Sequence, residues 1–321
     1  MSDSQALTTC PNCGSLRSGA YCHVCGQSDR DYRRSLPPML GQLLAEAFEV
    51  DGRIARSLRL LLFQPGALSA EFSANRRASY VSPIRLYLAT SILFFAVMSL
   101  SADNIEFDST APNAVGADFQ FDETELTEAQ IAQFRDRVGA KVDLQLNQVL
   151  AKQDRWELQI LSGYIADLDY AAPVPAVRLY LETQMVRVLA NPTRVFNEFL
   201  DKLPIATFFL LPAYALLLMI FYWRSRKYYV EHLVYALHLH AFNFLLFTVL
   251  ILVPSEEEGP WSWLRSALNL TFLIYYYKSL RRYYQQGRAK TLVKYSLLLT
   301  AYSSLLVPAI LLVMATTFAT Y

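Results

Sequence analysis

Long apolar stretches constrain the fold of this chain more than any other feature. They lie at residues 203–223, 232–253, 263–277 and 292–318, with an earlier one at 84–100. Each approaches the roughly 20 residues that a helix needs to cross a bilayer. Only 18% of the residues are charged, against about 25% in soluble domains. The pattern predicts an all-α membrane protein with about five transmembrane helices, of which 263–277 is the most diluted by polar residues.

The other segments complete the predicted domain organisation. Residues 103–128 carry Asp and Glu without Lys or Arg, and a helical apolar stripe then begins at Ile131. We expect an N-terminal zinc ribbon at 1–27, a basic linker with amphipathic membrane-surface helices at 28–83, the first transmembrane helix at 84–100, a helical extracytoplasmic insertion at 101–202, and a four-helix transmembrane region at 203–321. Within the insertion, one helix is predicted to run from Ile131 to about Tyr164 and shorter helices at 177–189 and 192–200.

Four cysteines form two Cys-x-x-Cys-Gly knuckles, and they are all the cysteines of the chain. The ligand set is Cys10, Cys13, Cys22 and Cys25. Four thiolates close a tetrahedral shell and leave no open position, which is typical of a structural zinc ion rather than a catalytic one. A redox dithiol pair or unliganded cysteines are the alternatives. His23, inside the second knuckle, is predicted to be an exposed non-ligand.

The charges of the short loops predict the orientation. No secretory signal peptide precedes the cysteines, so the N-terminus is expected in the cytosol, where thiols stay reduced. Arg224, Arg226 and Lys227 follow one span, five Lys or Arg residues lie within 278–290, and three glutamates lie at 256–258. Basic loops stay inside. We therefore predict a multi-pass protein of the bacterial inner membrane with a cytoplasmic N-terminus and an extracytoplasmic C-terminus. Tyr283 and Tyr284 stand where aromatic belts form.

An apolar stripe opposes arginines before the first span. The stripe consists of Ile54, Leu58, Leu61 and Leu62, and the arginines are Arg53, Arg56 and Arg59. Such a helix lies on an anionic membrane surface or packs onto the protein's own membrane domain, and the two interpretations are compatible.

Five stretches of the sequence carry a family resemblance. They are CPNCG with CHVCGQ, DGRIARSLRLLLFQPG, RRASYVSPIRLYL, KLPIATFFLLPAYALLL and YYVEHLVYALHLHAF. This combination resembles a bacterial family known only as domain-of-unknown-function family 3667. The resemblance covers roughly the first hundred residues and 202–247. It implies a zinc-ribbon-tagged integral membrane protein and implies no activity.

One polar constellation lies within a predicted span. It consists of Glu231, His232, His238, His240 and Asn243. Ionisable groups inside a bilayer are costly and often functional, so this is the candidate intramembrane site. Histidines there relay protons or bind metal. Alternatively, they are neutral and hydrogen-bonded to Tyr or Asn on neighbouring helices. His238 and His240 point about 200° apart on a helix, which argues against a shared metal.

The sequence favours a non-enzymatic scaffold or sensor whose cytosolic zinc ribbon binds a protein partner. The net charge of +1 does not indicate nucleic-acid binding. No phosphate-binding loop, nucleophile elbow or zinc-protease motif is present, so no catalytic residue is assigned. One alternative is an oligomeric transporter or channel that uses polar residues of the third to fifth spans. Another is a lipid-acting membrane enzyme with Glu231 and His238 as acid and base.

Overall fold

The computed structural model describes residues 8–17, 19–27, 52–102, 126–139, 142–151, 156–166, 168, 175–254 and 259–320. The predictions for the linker and helix before residue 52, for the acidic stretch 103–125 and for the acidic loop 255–258 lie outside these residues. The chain divides into two compact units, one of Met1–Met98 with Pro204–Pro308 and one of Ser99–Leu203 with Ala309–Tyr321.

The described residues are all-α apart from one small ribbon. Strands β1 (Thr8–Thr9) and β2 (Leu16–Arg17) pair antiparallel, with Thr9 opposite Leu16. The helices are α1 (Arg53–Phe63), α2 (Ala67–Ser73), α3 (Pro83–Ala102), α4 (Glu128–Val138), α5 (Asp143–Leu150), α6 (Trp156–Ala166), α7 (Ala176–Ala190), α8 (Pro192–Phe221), α9 (Tyr229–Leu252), α10 (Pro260–Tyr284) and α11 (Arg288–Thr320).

Four of these helices are long and apolar enough to cross a membrane. Within the described residues they are α3, α8, α9 and α11. They indicate a multi-pass membrane protein. The remaining predicted span, 263–277, lies inside α10, which has 25 residues but is not among the four. The fifth span therefore stays a prediction.

Two predicted boundaries differ from the structure. The helix predicted from Ile131 to about Tyr164 is divided into α4, α5 and α6. It first breaks at Gly139, whose φ of 77° lies in the region that glycine adopts most readily. Conversely, the predicted helix at 192–200 and the span at 203–223 form one continuous helix, α8, with Pro204 and Pro212 inside it. A proline removes one hydrogen bond, and membrane helices tolerate that loss.

Helix α9 is the central helix of the first unit. Its side chains are buried along nearly its whole length, as expected for a helix that is apolar on all sides. Phe242 stacks on Tyr275 of α10, and Phe244 stacks on Phe94 of α3. His240 contacts Tyr302 of α11. His240 of α9 therefore faces another helix of the same unit.

In the second unit, helices α4 to α7 pack around an apolar core and a buried ion pair. Phe134, Leu146 and Val186 are among its fully buried residues. Arg137 donates two hydrogen bonds of 2.7 Å to the Glu182 carboxylate, and both side chains are buried. The Tyr164 hydroxyl donates to the same carboxylate at 2.8 Å, and Arg178 donates to it at 3.2 Å. Burial raises the pKa of Glu182, and the hydrogen bonds from Arg137 and Tyr164 outweigh it, so the pKa lies below its ordinary value.

A Glu182→Gln substitution is expected to lower the stability of this unit by about 1–2 kcal/mol at neutral pH, because it weakens charge-assisted hydrogen bonds. The wild-type contribution is complete above the unfolded-state pKa and is lost as pH falls through the lowered folded-state pKa. Hydrogen–deuterium exchange of α7, corrected for intrinsic rates and compared between pH 7 and about pH 3, which lies well below the unfolded-state pKa, measures both effects. Glu198→Gln is the matched control, because its 3.8 Å pair with Arg194 is a surface pair. Equal protection in both variants contradicts the prediction.

Candidate functional sites

The two cysteine knuckles repeat one backbone arrangement. The Gly14 N–H donates to the Cys10 carbonyl (2.9 Å), and the Gly26 N–H donates to the Cys22 carbonyl (2.8 Å). Both glycines have φ near +75°, at 78° and 70°, where a side chain is disfavoured. Local sequence therefore folds each Cys-x-x-Cys pair into a tight turn with both sulfurs on one side.

The four sulfurs fit a tetrahedral metal shell. They all lie within 4.8 Å of one another, with Cys10 and Cys25 3.7 Å apart and Cys13 and Cys22 3.5 Å apart. A tetrahedron with metal–sulfur bonds of about 2.3 Å has sulfur–sulfur edges of about 3.8 Å. Among the described residues, this is the group of thiol, imidazole and carboxylate side chains whose spacing suits a metal ion. His23 is exposed and does not belong to it.

The surroundings of the thiols do not ionise them equally. The hydrogen bond with the Ser15 hydroxyl lowers the pKa of Cys22 to about 5. Burial raises the pKa of Cys25 to about 11. A bound cation that keeps all four as thiolates would therefore displace protons, as metal binding to thiols generally does.

The cysteine module is fastened to the turn between α2 and α3. The buried Gln27 side chain donates to the Asn75 carbonyl (2.7 Å) and accepts from the Ala78 N–H (3.4 Å). Ser79 donates to the Asn12 side chain (3.2 Å). Within the module, large apolar side chains point outward: Leu16, Tyr21 and Val24 are 60%, 66% and 63% exposed.

Helix α2 packs closely against α9 and α10. Gly66, at its start, approaches Ser279 so closely that an added Cβ would lie 2.6 Å from the Ser279 carbonyl oxygen. Ser69 is hydrogen-bonded to His238 Nδ1 (2.9 Å), and Ser73 to the Tyr283 hydroxyl (2.7 Å). Small side chains on α2 thus allow the close approach and provide the polar contacts. α1 packs Leu61 into the same core, in agreement with packing onto the membrane domain.

The three histidines of α9 face three different neighbours. His238 meets Ser69 and the Phe72 ring, and His232 Nδ1 is hydrogen-bonded to the Tyr284 hydroxyl (2.7 Å). His240 Nδ1 lies 2.9 Å from the Ala236 carbonyl. Because a carbonyl only accepts, Nδ1 carries the proton there, and Nε2 accepts from the Tyr302 hydroxyl at 3.0 Å.

The other two residues of the predicted intramembrane site make no hydrogen bond with the histidine rings within the described residues. Glu231 accepts from the Tyr228 N–H (2.9 Å) and pairs with Lys227 (3.6 Å), so it caps the start of α9. Asn243 is half-buried, and its Oδ1 has no hydrogen-bond partner among the described residues. The predicted site is therefore distributed along α9, and its functional role stays a prediction.

The hydrogen-bond partners of the α9 histidines were not among the residues predicted from the sequence to form a site. Ser69, Tyr284 and Tyr302 are the partners of the histidines, and Tyr214 is hydrogen-bonded to Tyr276 nearby. Tyr283 and Tyr284 were predicted as interface aromatics and are instead buried. Ser69 and His238 are 169 positions apart, so no local pattern connects them.

A double-mutant cycle between Ser69→Ala and His238→Leu is expected to give a coupling free energy of about 1 kcal/mol, the usual value for a neutral buried hydrogen bond. Reversible denaturant unfolding of the full chain in detergent measures it. The control cycle combines His238→Leu with Thr248→Val, since Thr248 donates only within its own helix, to the Phe244 carbonyl. Coupling no larger than in the control cycle would show that the contact does not contribute.

The fold and the cysteine site define a class: a helical, multi-pass membrane protein with a four-cysteine cluster of metal-binding geometry at its N-terminus. Residues 51–95 match the model of a family described as "Protein of unknown function (DUF3667)". The match confirms the family resemblance over α1, α2 and the first part of α3, which is the segment that packs against α9 and α10. No curated protein and no solved structure matches the chain.

Proposed function

We propose that this protein is a non-enzymatic membrane scaffold or sensor whose N-terminal module holds zinc and binds a cytosolic protein. The observation that carries the proposal is a closed four-thiol cluster surrounded by outward-facing apolar side chains. A complete shell of four thiolates leaves no coordination site for water or substrate. Such a metal would stabilise the module and would not supply chemistry.

The exposed side chains of the module support a protein partner. Leu16, Tyr21 and Val24 lie on a segment of about twenty residues, and each exposes more than half of its surface. Tyrosine is enriched among the few residues that contribute most of the binding free energy in protein interfaces, and apolar neighbours such as Leu16 and Val24 would exclude water around it. Gln27 holds the module at the turn after α2, so a bound partner would be kept next to the membrane domain.

Contacts of α10 support a fifth span. Near one end of α9, Arg265 donates to the Val253 carbonyl (2.9 Å), and near the other end Tyr283 donates to the Glu231 carbonyl (2.9 Å). The 18 helical steps between Arg265 and Tyr283 correspond to a rise of about 27 Å. Helix α10 therefore lies alongside most of α9, one of the four helices that are long and apolar enough to cross a membrane. Between Arg265 and Tyr283, Leu270, Leu273 and Ile274 are exposed, as lipid-facing side chains would be.

Five spans and the basic loops support one orientation. With the arginines at 224–226 and 281–288 inside, the cysteine module is cytoplasmic and the C-terminus is extracytoplasmic. A reporter active only outside the cytosol, fused after Tyr321, tests this arrangement in a bacterial host. Activity is expected with the full chain. Cytosolic placement of the reporter would overturn this arrangement, and together with a cytosolic cysteine module it would mean an even number of spans and overturn α10 as a span.

Site-specific photocrosslinking tests the partner. A photoreactive amino acid at Tyr21 is expected to give one dominant protein adduct in cells, identified by mass spectrometry. The pair Leu16→Ser and Val24→Ser should abolish this adduct, whereas His23→Ala, an exposed polar position in the same module, should leave it intact. Unchanged zinc content in each variant shows that the module remains folded. An adduct that survives loss of the apolar side chains would contradict the proposal.

A second candidate is an oligomeric transporter, favoured by one specific observation. Among the described residues, His232 Nε2, His238 Nε2 and the Tyr235 hydroxyl are buried in the membrane unit without a hydrogen-bond partner. Buried polar atoms of this kind often lie along proton or solute pathways. Proton flux in proteoliposomes that His238→Ala and His240→Ala abolish would support it. Flux unchanged by these substitutions would remove the histidines from any pathway.

A further inference from the structure

A cationic cavity opens at the C-terminal end of α10. It has a volume of about 490 Å³ and is lined by Pro65, Lys278, Arg281, Arg282, Gln285 and Gln286. Lys278 lies three and four residues before the two arginines, so the three cations share one face of the helix. Like charges at this spacing repel. The negative end of the helix dipole favours cations here but does not account for a cavity.

The cations of this cavity have no acidic partner within the described parts of the chain. All three side chains are exposed. Arg282 donates to the Pro65 carbonyl (3.4 Å), which holds its guanidinium beside the turn between α1 and α2. A guanidinium fixed in this way, with another arginine and a lysine beside it, suits the non-ester oxygens of a phosphate group.

Two further features distinguish this cavity from a general basic surface. Gln286 lines the cavity, and its buried Oε1 atom has no hydrogen-bond partner among the described residues, so a rotation of the side chain would let it accept from a hydroxyl of a ligand. Phe63, two residues before Pro65 of the cavity wall, is 78% exposed and offers an apolar surface. A ligand with a phosphate, a hydroxylated headgroup and an apolar tail would suit the cations, the Gln286 acceptor and the Phe63 surface, respectively.

We propose that this cavity binds the headgroup of an anionic phospholipid, with the phosphodiester at Lys278, Arg281 and Arg282 and a headgroup hydroxyl at Gln286. The lipid chemistry that fits is that of phosphatidylglycerol. Its acyl chains lie along the apolar surface at Phe63. The assignment to the cytoplasmic leaflet rests on the topology proposed above, whereas binding itself does not.

Native mass spectrometry of the delipidated full-length protein in detergent tests the site. With equal amounts of phosphatidylglycerol and phosphatidylcholine, the wild type is expected to retain one phosphatidylglycerol per chain. The triple variant Lys278→Gln, Arg281→Gln, Arg282→Gln should lower that adduct at least about tenfold. A matched triple variant, Arg224→Gln, Arg288→Gln, Lys290→Gln, removes the same charge from exposed positions elsewhere in the basic loops and should lower it less than about twofold.

Gln286→Leu separates headgroup recognition from charge. It should weaken phosphatidylglycerol binding and leave binding of phosphatidic acid, which has no headgroup hydroxyl, unchanged. Equal loss in the two triple variants, equal retention of phosphatidylcholine, or competition by soluble glycerol phosphate as strong as by the lipid would each overturn the proposal. Because the assay uses detergent, a cytosolic C-terminus would refute the five-span topology without affecting this result.

Discussion

The full-length protein purified in detergent is expected to carry one zinc ion per chain, and Cys22→Ser is expected to carry almost none. Two pairs of sulfurs already lie 3.5 and 3.7 Å apart, close to the edge length of a tetrahedral shell, so the ion would complete a shell that the backbone preforms. Apparent binding free energies of such sites in small modules are about 10–16 kcal/mol at neutral pH. Removing one thiolate leaves three ligands and one open position, so we expect most of that affinity to disappear.

Metal analysis by mass spectrometry and thiol accessibility measure this effect together. Cys22→Ser should lose zinc and expose its remaining three thiols to alkylation, while the membrane unit keeps its helical content. His23→Ala is the matched control, because His23 lies between two ligands and its exposed imidazole is outside the cluster. Zinc retained in Cys22→Ser, or lost in His23→Ala, would show that the ligand set is wrong. One iron ion per chain in place of zinc would show that the predicted metal is wrong and would leave the ligand set unchanged.

Gly66→Ala is expected to lower the free energy of unfolding by about 3 kcal/mol or more, one of the largest effects of any single methyl group here. Its Cβ would lie 2.6 Å from the Ser279 carbonyl oxygen and 3.2 Å from the Ser279 Cα. Both atoms belong to the backbone of α10, which cannot move aside as a flexible side chain can. The φ of +75° adds strain for any L-residue.

Gly52→Ala is the control for this substitution. Gly52 precedes α1 with a φ of −55°, and a Cβ there would meet nothing within 4 Å. The free energy of unfolding of Gly52→Ala should differ from that of the wild type by no more than about 0.5 kcal/mol. Thermal unfolding of the full chain in detergent, monitored by size-exclusion chromatography, compares the two variants. If Gly66→Ala unfolds at the same temperature as Gly52→Ala, then α2 does not pack against α10 as closely as the structure shows.

The cysteine site and the apolar spans could be anticipated because both are local. All four ligands fall within sixteen positions, and the glycine after each second cysteine allows the positive φ of the turn. Hydropathy likewise depends on one stretch of chain at a time, and four predicted spans coincide with helices of sufficient length. Prediction failed at helix ends: the helix predicted at 192–200 and the span predicted at 203–223 form one helix, α8.

The hydrogen-bond partners of the polar residues of α9 could not be predicted from local sequence patterns. Helical geometry correctly separates His238 from His240, but the partners of these rings come from α2 and α11, far away in the chain. The burial of Tyr283 and Tyr284 similarly depends on α9 packing beside them. A sequence shows that a tyrosine follows an apolar run, but not whether lipid or another helix covers it.

By itself, the sequence determined which segments are apolar enough to cross a membrane and which cysteines form the cluster of metal-binding geometry, because both follow from short-range composition and spacing. Only the tertiary structure decided that the matched segment 51–95 packs α2 against α9 and α10, that the histidines have separate partners, and that three cations border one cavity. These features depend on contacts between residues up to 217 positions apart. Their free energies arise only once the helices have packed, so no local pattern in the chain carries them.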